Sequence, residues 1–489
     1  MKHASTTRGG GTGWRRGVAA GLVGLGVAEA TAVLSRSRSP LDAAGQLAAD
    51  IGPRALVEVV VRLLKEADKP VIRASAAAAV LAAGGMLGRT RRRPLRDMLV
   101  AGGAAGAATA LTRRRAVATD GPMAANLAAA LAGAAATVAA LNTRRPSNAV
   151  LTALGALALG AATAAQGRRR TQLPSAARTP RALDPLPPAV DGGEHWPGVS
   201  PLITPVGEFY VTDVNMRPPV VDLARWRLTV TGEVGTELSL GYDDLLDLGP
   251  VEFDAVLVCV HNRLGWGRLG NARWLGVPLK SLFDRAAPVS RRANLVTRAV
   301  DGWECTLPLR DLDESGGYVV VGMNGRPLTA AHGFPARVVV PGIYGQYTGA
   351  KWLTELRVQS GPNPDYWLSR GWTRGPLRVR PLSRIDHPTH GARVPTGAVD
   401  VTGVAWAPPS GVREVHVAVD DGEWTPAELA AELAPSSWRR WRHRADLPPG
   451  PHRIRVRCVT TDGRIQDALA REPFPTGATG HHTITVDAR

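Results

Sequence analysis

"FDAVLVCVHNRLGWGRLGNARW", residues 253–274, decides how this chain is read. Ala255 to Val260 is a short, unbroken apolar run rich in β-branched residues, which predicts a buried strand. Cys259 stands near its end. The run then breaks into His261, Asn262 and Arg263, with glycines at 265, 267 and 270. A thiol in an apolar strand is most simply a core residue. A strand end that opens onto a polar, glycine-rich loop, however, is where sheet proteins present ligands.

A second cluster supplies complementary groups. "MNGRPLTAAHGFPARVVVPGIYGQYTGAKW", residues 323–352, carries His332, then Arg337 entering a strand, then a Gly/Tyr loop ending at Lys351. Such cations with nearby backbone amides suit a phosphate-bearing organic ligand. A thiolate is a soft ligand, matched to a soft or redox-active metal. Together they predict a metal that arrives with an organic cofactor.

Other readings of the same residues are weaker. Gly265-Trp-Gly267-Arg-Leu-Gly270 matches the dinucleotide fingerprint in form, but that site needs a helix starting on its glycines. "NARWLGVPL" is a poor helix. Cys259 and His261 would supply only half of a tetrahedral zinc site. They could also form a Cys/His dyad, although His261 comes after the strand breaks.

The whole chain of 489 residues falls into two regimes. Residues 1–170 hold 24 Lys/Arg and 8 Asp/Glu, a net of +16, against +1 for the remainder (35 and 34). Within the first part apolar windows alternate with arginine clusters: Gly17–Leu34, Val71–Gly88, Leu95–Leu111, 122–141 and Ala149–Ala165. Each is close to the roughly 20 residues that span a bilayer. Their Ala/Gly content suits close helix contact in lipid. About five transmembrane helices are expected, with Leu56–Leu64 as an interfacial amphipathic segment. Glu29 and Arg73 fall inside two of the windows, and the competing reading is a soluble Ala-rich helical array. The basic residues flank apolar runs rather than forming an aromatic-laced stripe, which argues against nucleic-acid binding. Paired arginines at 144–145 before the last window resemble a degraded twin-arginine export signal. They point to a multi-pass cell-membrane protein with its body outside the cytoplasm. The three cysteines do not make a disulfide scaffold.

Prolines crowd residues 171–200, which predicts an extended linker. Residues 201–375 mix short strands and helices in an α+β pattern: "WRLTVTGEV", "YDDLLDL", "AVLVCV", "VPLKSLFDRA", "RVVVPG" and "KWLTELRV". Residues 376–489 read as strands only, with Asp421-Gly422 and Asp462-Gly463 as turns. That spacing predicts an immunoglobulin-like sandwich. Cys458 within it reads as a small core hydrophobe.

"GEFYVTD", "WRLTVTGEV", "VLVCVHN", "GNARWLGVPL", "MNGRPL", "HGFPARVVVPG", "KWL", "SRID" and "EPFPTGATGHHT" occur in the order of the sulfite oxidase family of molybdenum enzymes. The chain resembles that family from about Glu208 to the C-terminus, and its apolar front resembles a membrane-anchored branch. The resemblance implies a sulfite-oxidase-like molybdopterin domain followed by an immunoglobulin-like, dimerisation-type domain, and hence a possible homodimer. Cys259 would be the protein thiolate on molybdenum. Phe209, Tyr210, Asp301, His332, Arg337, Gly349, Ala350 and Lys351 would contact the molybdopterin.

Two positions depart from the family pattern. Sulfite oxidases place an arginine where Thr212 stands and a tyrosine where Trp303 stands. Losing a cation and a hydroxyl weakens the grip on a small dianion by about 1.5–3 kcal/mol per charged hydrogen bond. The expected substrate is therefore larger or less charged than sulfite, an organic S- or N-oxide, with Trp303 as an aromatic wall. Arg439, from "WRRW", would reach in from the second domain to restore a charge. No C-x-x-C-H haem motif occurs, so electrons would pass to a separate partner or a quinone. Two alternatives stay open: a cofactor-free membrane-anchored binding protein that retains the fold, and a cysteine-dependent hydrolase.

Overall fold

The computed structural model describes residues 9–35, 39–44, 68–89, 123–142, 147–171, 178–212, 215, 218–219, 221–363, 368, 371–372 and 378–489. They divide into two compact units. The first comprises residues 1–175 with 213–220 and 300–302, and the second the rest.

The first unit is built from α1 (Gly9–Leu34), α2 (Asp68–Arg89), α3 (Met123–Asn142) and α4 (Asn148–Thr171). All four are long and apolar enough to cross a membrane. The fifth apolar window, Leu95–Leu111, and the amphipathic Leu56–Leu64 lie outside the described residues.

Helix α1 packs on the other three, and glycine makes each seam possible. Gly13, Gly17 and Gly21, four apart and so on one face, lie against Gly84 and Gly88 of α2. Gly24 meets Gly133 of α3, and Gly26 meets Gly155 of α4. A Cβ on Gly84 would stand 2.7 Å from the Gly17 carbonyl oxygen. Backbones this close gain van der Waals contact that a larger side chain would break. Gly84→Leu should therefore cost about 1–3 kcal/mol through overpacking, read as a lowered midpoint in detergent unfolding. Among the described residues, the charges inside the windows have local partners, whereas Arg96 and Asp97 lie outside the described residues. Glu29 is buried and accepts from Ser39 Oγ (2.8 Å) and the Leu41 amide (2.9 Å). Arg73 pairs with Asp42 at 2.8 Å.

Among the described residues the second unit contains four sheets. The central one pairs β3 (Val251–Val258), β4 (Leu269–Pro278), β7 (Tyr318–Met323) and β8 (Arg326–Pro327) in that order, with β9 (Arg337–Val339) also on β7. Strands β3 and β4 run antiparallel from Val251↔Gly276 to Val258↔Leu269. Alternation along β3 feeds two cores. Ala255 and Leu257 pack with Phe209, Ala272, Trp274 and Phe334. Val256, Val258 and Val260 face the other way, with Leu269, Tyr344, Trp372 and Trp438.

A second sheet is ordered β2 (Leu238–Leu240), β1 (Leu228–Gly232), β10 (Leu353–Gln359), β5 (Asn294–Ala299) and β6 (Glu304–Pro308). Helices α5 (Tyr242–Leu246) and α6 (Leu279–Ala286) fall where the short helices are expected. The glycine-rich motif does not start a helix: Leu269 onward is β4, which removes the dinucleotide reading.

The remaining strands form two sheets that share one core. The first is β11 (Leu382–His387), β13 (Gly397–Trp406), β17 (Arg439–Leu447) and β16 (Glu428–Leu429). The second is β12 (Ala392–Val394), β19 (His482–Ala488), β18 (Gly450–Thr460), β14 (Val412–Val419) and β15 (Thr425–Pro426). Val401 and Trp441 from one layer meet Val415, Ile454 and Cys458 from the other. Cys458 is fully buried and its thiol is pushed up to about 12, as a core residue's would be.

Candidate active site

Cys259 continues the β3/β4 register past its last paired strand residue. Its amide donates to the Arg268 carbonyl at 3.0 Å, and its carbonyl accepts from the Asn262 amide at 2.9 Å. The sulfur is buried and lies on the Leu257 side of the strand, by alternation. Burial raises its pKa. The His261 amide, the positive charge of Arg268 and the Thr212 hydroxyl, which hydrogen-bonds the sulfur, all oppose that rise. Burial thus holds the thiol neutral, and a metal ion binding there would displace its proton with the help of neighbours that favour the thiolate. His261 Nδ1 is 3.9 Å from the sulfur, beyond direct proton-transfer distance, and its ring stands edge-on to Trp372.

Phe209 and Tyr210 cover the same region. Their rings stack at 5.4 Å, and Phe209 meets Trp274 and His332 edge to face. Gly270 is glycine because a Cβ there would stand 2.5 Å from the Phe209 ring. Burial raises the Tyr210 pKa, and the charges of Cys259, Arg337 and Arg268 all act on it.

His332 ends a short 3-10 turn, Ala330–His332, capped by the Thr329 side chain. Its Nε2–H donates to the Val206 carbonyl at 3.0 Å, which fixes the neutral tautomer. Burial, then the charges of Arg337 and Lys351, depress its pKa to about 4 against that hydrogen bond. Arg337, at the start of β9, donates through Nη1 to the His332 carbonyl at 3.2 Å and lies over the Trp274 ring. Burial lowers its pKa to about 10, so it stays a cation at neutral pH. Lys351 Nζ donates to the Ala331 carbonyl at 3.0 Å and sits 4.7 Å from the Trp352 ring centroid.

Between Arg337 and Lys351 runs the short helix α7 (Gly345–Thr348), which packs on β9 and β6. Gly349 is its C-cap, and Ala350 accepts from the Val338 amide. Several buried polar atoms here find no partner among the described residues: Arg337 Nε, both amide atoms of Gln346 and Thr348 Oγ1. Buried polar groups are normally satisfied, so each orphan asks for a ligand or water. A group of unpartnered buried polar atoms with a buried cation fits an anionic, polar-edged organic cofactor. Among the described residues no three His, Cys, Asp or Glu gather to hold a metal. A metal on Cys259 would therefore take its remaining ligands from a cofactor rather than a zinc-type protein cage.

Three expected residues stand elsewhere or are engaged differently. Arg439 Nε and Nη1 donate to the Ala430 and Val412 carbonyls at 2.8 and 2.9 Å. Its guanidinium is thus engaged within the two-sheet layer. Asp301 falls in the first unit, where it accepts from Asn215 Nδ2. Trp303, half-buried beside β6, donates its indole N–H to Cys305 Sγ at 2.9 Å. The sequence reading missed Gln346 and Thr348, which carry no motif and become notable only as buried orphans. It also missed Arg268, which the antiparallel register could have paired with Cys259.

Two histidines tie stability to pH. His482 Nδ1 accepts from the Ile385 amide, and burial and then Arg384 depress its pKa to about 4. The unfolded chain binds protons at His332 and His482 below about 6.5, while the folded chain resists until about 4. Stability should therefore fall as pH drops through that window, by about 1.4 kcal/mol per pH unit for each histidine. Thermal melts at pH 7, 6 and 5 read the slope, and His482→Gln should flatten it. A melting point that did not change over this range would contradict the assignment.

Residues 215–367 match the family model described as an oxidoreductase molybdopterin binding domain. The chain is 31% identical over 155 residues to the uncharacterized oxidoreductase YuiH of Bacillus subtilis, covering 76% of that protein. The chain belongs to the sulfite oxidase family of molybdopterin oxidoreductases. Within that family it is 30% identical over 307 residues to mitochondrial sulfite oxidase of Mus musculus and 29% to that of Homo sapiens. Each alignment takes in 53% of this chain and 56% of the relative, so the chain spans about half the length of the curated relatives it matches. In fold it is similar to the sulfane dehydrogenase SoxCD of Paracoccus pantotrophus. That match has a TM-score of 0.52 and 21% identity, and it covers 59% of this chain and 83% of that one.

Proposed function

We propose that this protein is a membrane-anchored molybdenum-cofactor oxidoreductase that transfers an oxygen atom to or from a small sulfur- or nitrogen-oxide substrate. The observation that carries this reading is the set of unsatisfied buried donors, Arg337 Nε, Gln346 and Thr348, lying with a buried cation in the fold that presents the Cys259 thiol. When bound, the cofactor supplies a two-electron couple and oxygen-atom exchange. Cys259 would be the chain's own ligand to its metal. Thr212 and the His261 amide would hold the sulfur's lone pairs and tune its donor strength. Arg337 and Lys351 would balance the cofactor's phosphate, and neutral His332, anchored on Val206, would accept a hydrogen bond at its other nitrogen. Phe209, Tyr210 and Trp274 would wall the cavity against water.

Thr212 is engaged with the sulfur and carries no charge, which favours a substrate other than a sulfite-type dianion. Trp303 would add an aromatic wall whose polar edge is already spent on Cys305. The four apolar helices would anchor the second unit at the cell membrane, with that unit outside the cytoplasm. Electrons would pass to a separate carrier or a quinone. The two β layers of residues 382–488 would be an immunoglobulin-like domain of the dimerisation type. Metal analysis of purified protein tests the core of the reading: about one molybdenum per chain is expected, and a metal-free protein that is otherwise folded would overturn it. Parallel assays of sulfite oxidation with ferricyanide and of sulfoxide or N-oxide reduction with reduced viologen then test the substrate class.

A further inference from the structure

The cations Arg337 and Lys351 belong to the cradle that would take the cofactor. A substrate oxyanion beside the sulfur would call for a cation of its own. One more cation is placed for it by the sheet itself.

Strands β3 and β4 pair so that partner numbers sum to a constant, from Val251↔Gly276 to Val258↔Leu269. One step further, Cys259 stands opposite Arg268, and the Cys259 amide bonds the Arg268 carbonyl at 3.0 Å. Residues directly opposite in an antiparallel pair point to the same face, with Cβ atoms about 4.5–5.5 Å apart. Arg268 therefore projects on the side of the sheet that carries the thiol.

Its backbone is fixed twice. The Arg268 amide donates to Asn262 Oδ1 at 2.9 Å, closing the loop that follows Cys259. Its guanidinium lies 5.8 Å from the Trp266 ring centroid, and the Trp266 carbonyl accepts from Arg384 Nη1 at 3.1 Å. Arg268 is half-buried, so its charge is partly desolvated yet open to a ligand. That charge is felt by both the Cys259 thiol and the Tyr210 hydroxyl. The neighbouring Arg263 differs: it stacks on the same indole, but its guanidinium is paired with Glu472 at 2.7 Å.

We propose that Arg268 is the substrate-contacting cation of this site, holding an anionic or strongly polarised S–O or N–O oxygen beside Cys259. It would be the specificity-determining residue that takes up the charge absent at Thr212. The inference rests on the oxidoreductase reading above.

Sulfate, an unreactive tetrahedral oxyanion, is the probe. It is titrated into the full-length, cofactor-loaded protein in detergent, with tryptophan fluorescence and calorimetry as readouts that need no turnover. Arg268→Gln should weaken sulfate binding about tenfold or more, the scale of one charge-assisted hydrogen bond. Arg268→Lys should recover part of it, and Arg263→Gln should bind as the parent does. Molybdenum content should be the same in all four proteins. For the substrate that turns over, Arg268→Gln should raise KM more than it lowers kcat. The proposal is overturned if the parent does not bind sulfate, if Arg268→Gln binds it equally well, or if Arg263→Gln loses as much. A loss of molybdenum in Arg268→Gln alone would overturn it by moving that residue into the cofactor cradle. Absence of molybdenum from the parent would instead strike the oxidoreductase reading, while the sulfate titration still reports on Arg268.

Discussion

Cys259→Ser should abolish turnover, by at least about 100-fold, while leaving the fold intact. The replacement is nearly isosteric, and the backbone contacts of residue 259 to Arg268 and Asn262 do not involve the side chain. A hydroxyl in this environment does not ionise, because burial already holds even the more acidic thiol neutral. The variant would thus lack the soft anionic ligand. Removing a group one shell further out commonly costs 10–100-fold in metal affinity or activity, so losing the ligand itself sets that range as a floor. Steady-state turnover, molybdenum content and a thermal melt separate the outcomes. Lost turnover with an unchanged melt is expected. Parent-level turnover would remove Cys259 from the chemistry, and a collapsed melt would return it to the role of a core thiol.

Arg440→Ala should produce the largest loss of stability among the charged residues of the second unit. The Arg440 guanidinium is buried and forks onto Asp191, whose side chain is fully buried, with Glu194 alongside at 3.2 Å. Removing the cation strands a carboxylate with no water to solvate it, a penalty of about 3–5 kcal/mol. The Gly193 amide, which donates to Asp191 at 2.9 Å, softens but does not replace the lost pair. Replacing both partners, Asp191→Leu with Arg440→Met, should cost far less, because no lone charge remains in the interior. A thermal melt of the three proteins reads the difference. If the single variant melted like the parent, the pair would be solvated in solution and the burial argument would be wrong.

The two arginines of "WRRW" illustrate how far a single sequence can be read. The reading sent Arg439 toward the site and left Arg440 unremarked. In the fold Arg439 ties two carbonyls within the sheets, while Arg440 pairs with a residue 249 positions away. Period-2 alternation shows that neighbours face opposite ways, but not which face meets the rest of the chain. That depends on partners remote in sequence, here Asp191 in the proline-rich stretch. Gln346 and Thr348 were illegible for the same reason. A glutamine and a threonine are ordinary residues until packing removes their water.

Local physics made much of the rest legible. The apolar run before Cys259 could only be a buried strand, and the chain indeed pairs there as β3. The helix over Leu279–Ala286 and the turn at Asp421-Gly422, which joins β14 to β15, followed from periodicity and turn residues. Of the five apolar windows set between arginine clusters, four coincide with helices long and apolar enough to cross a membrane, because an unbroken Ala/Leu-rich run favours helix. By itself, then, the order of residues determined which segments of the second unit are strands, which are helices and that a thiol closes a buried strand. Only the tertiary structure decided which cations face the sulfur, which donors are left unpaired and which charges neutralise one another. Those outcomes arise from desolvation and strand register, and both come into being when distant segments close on each other.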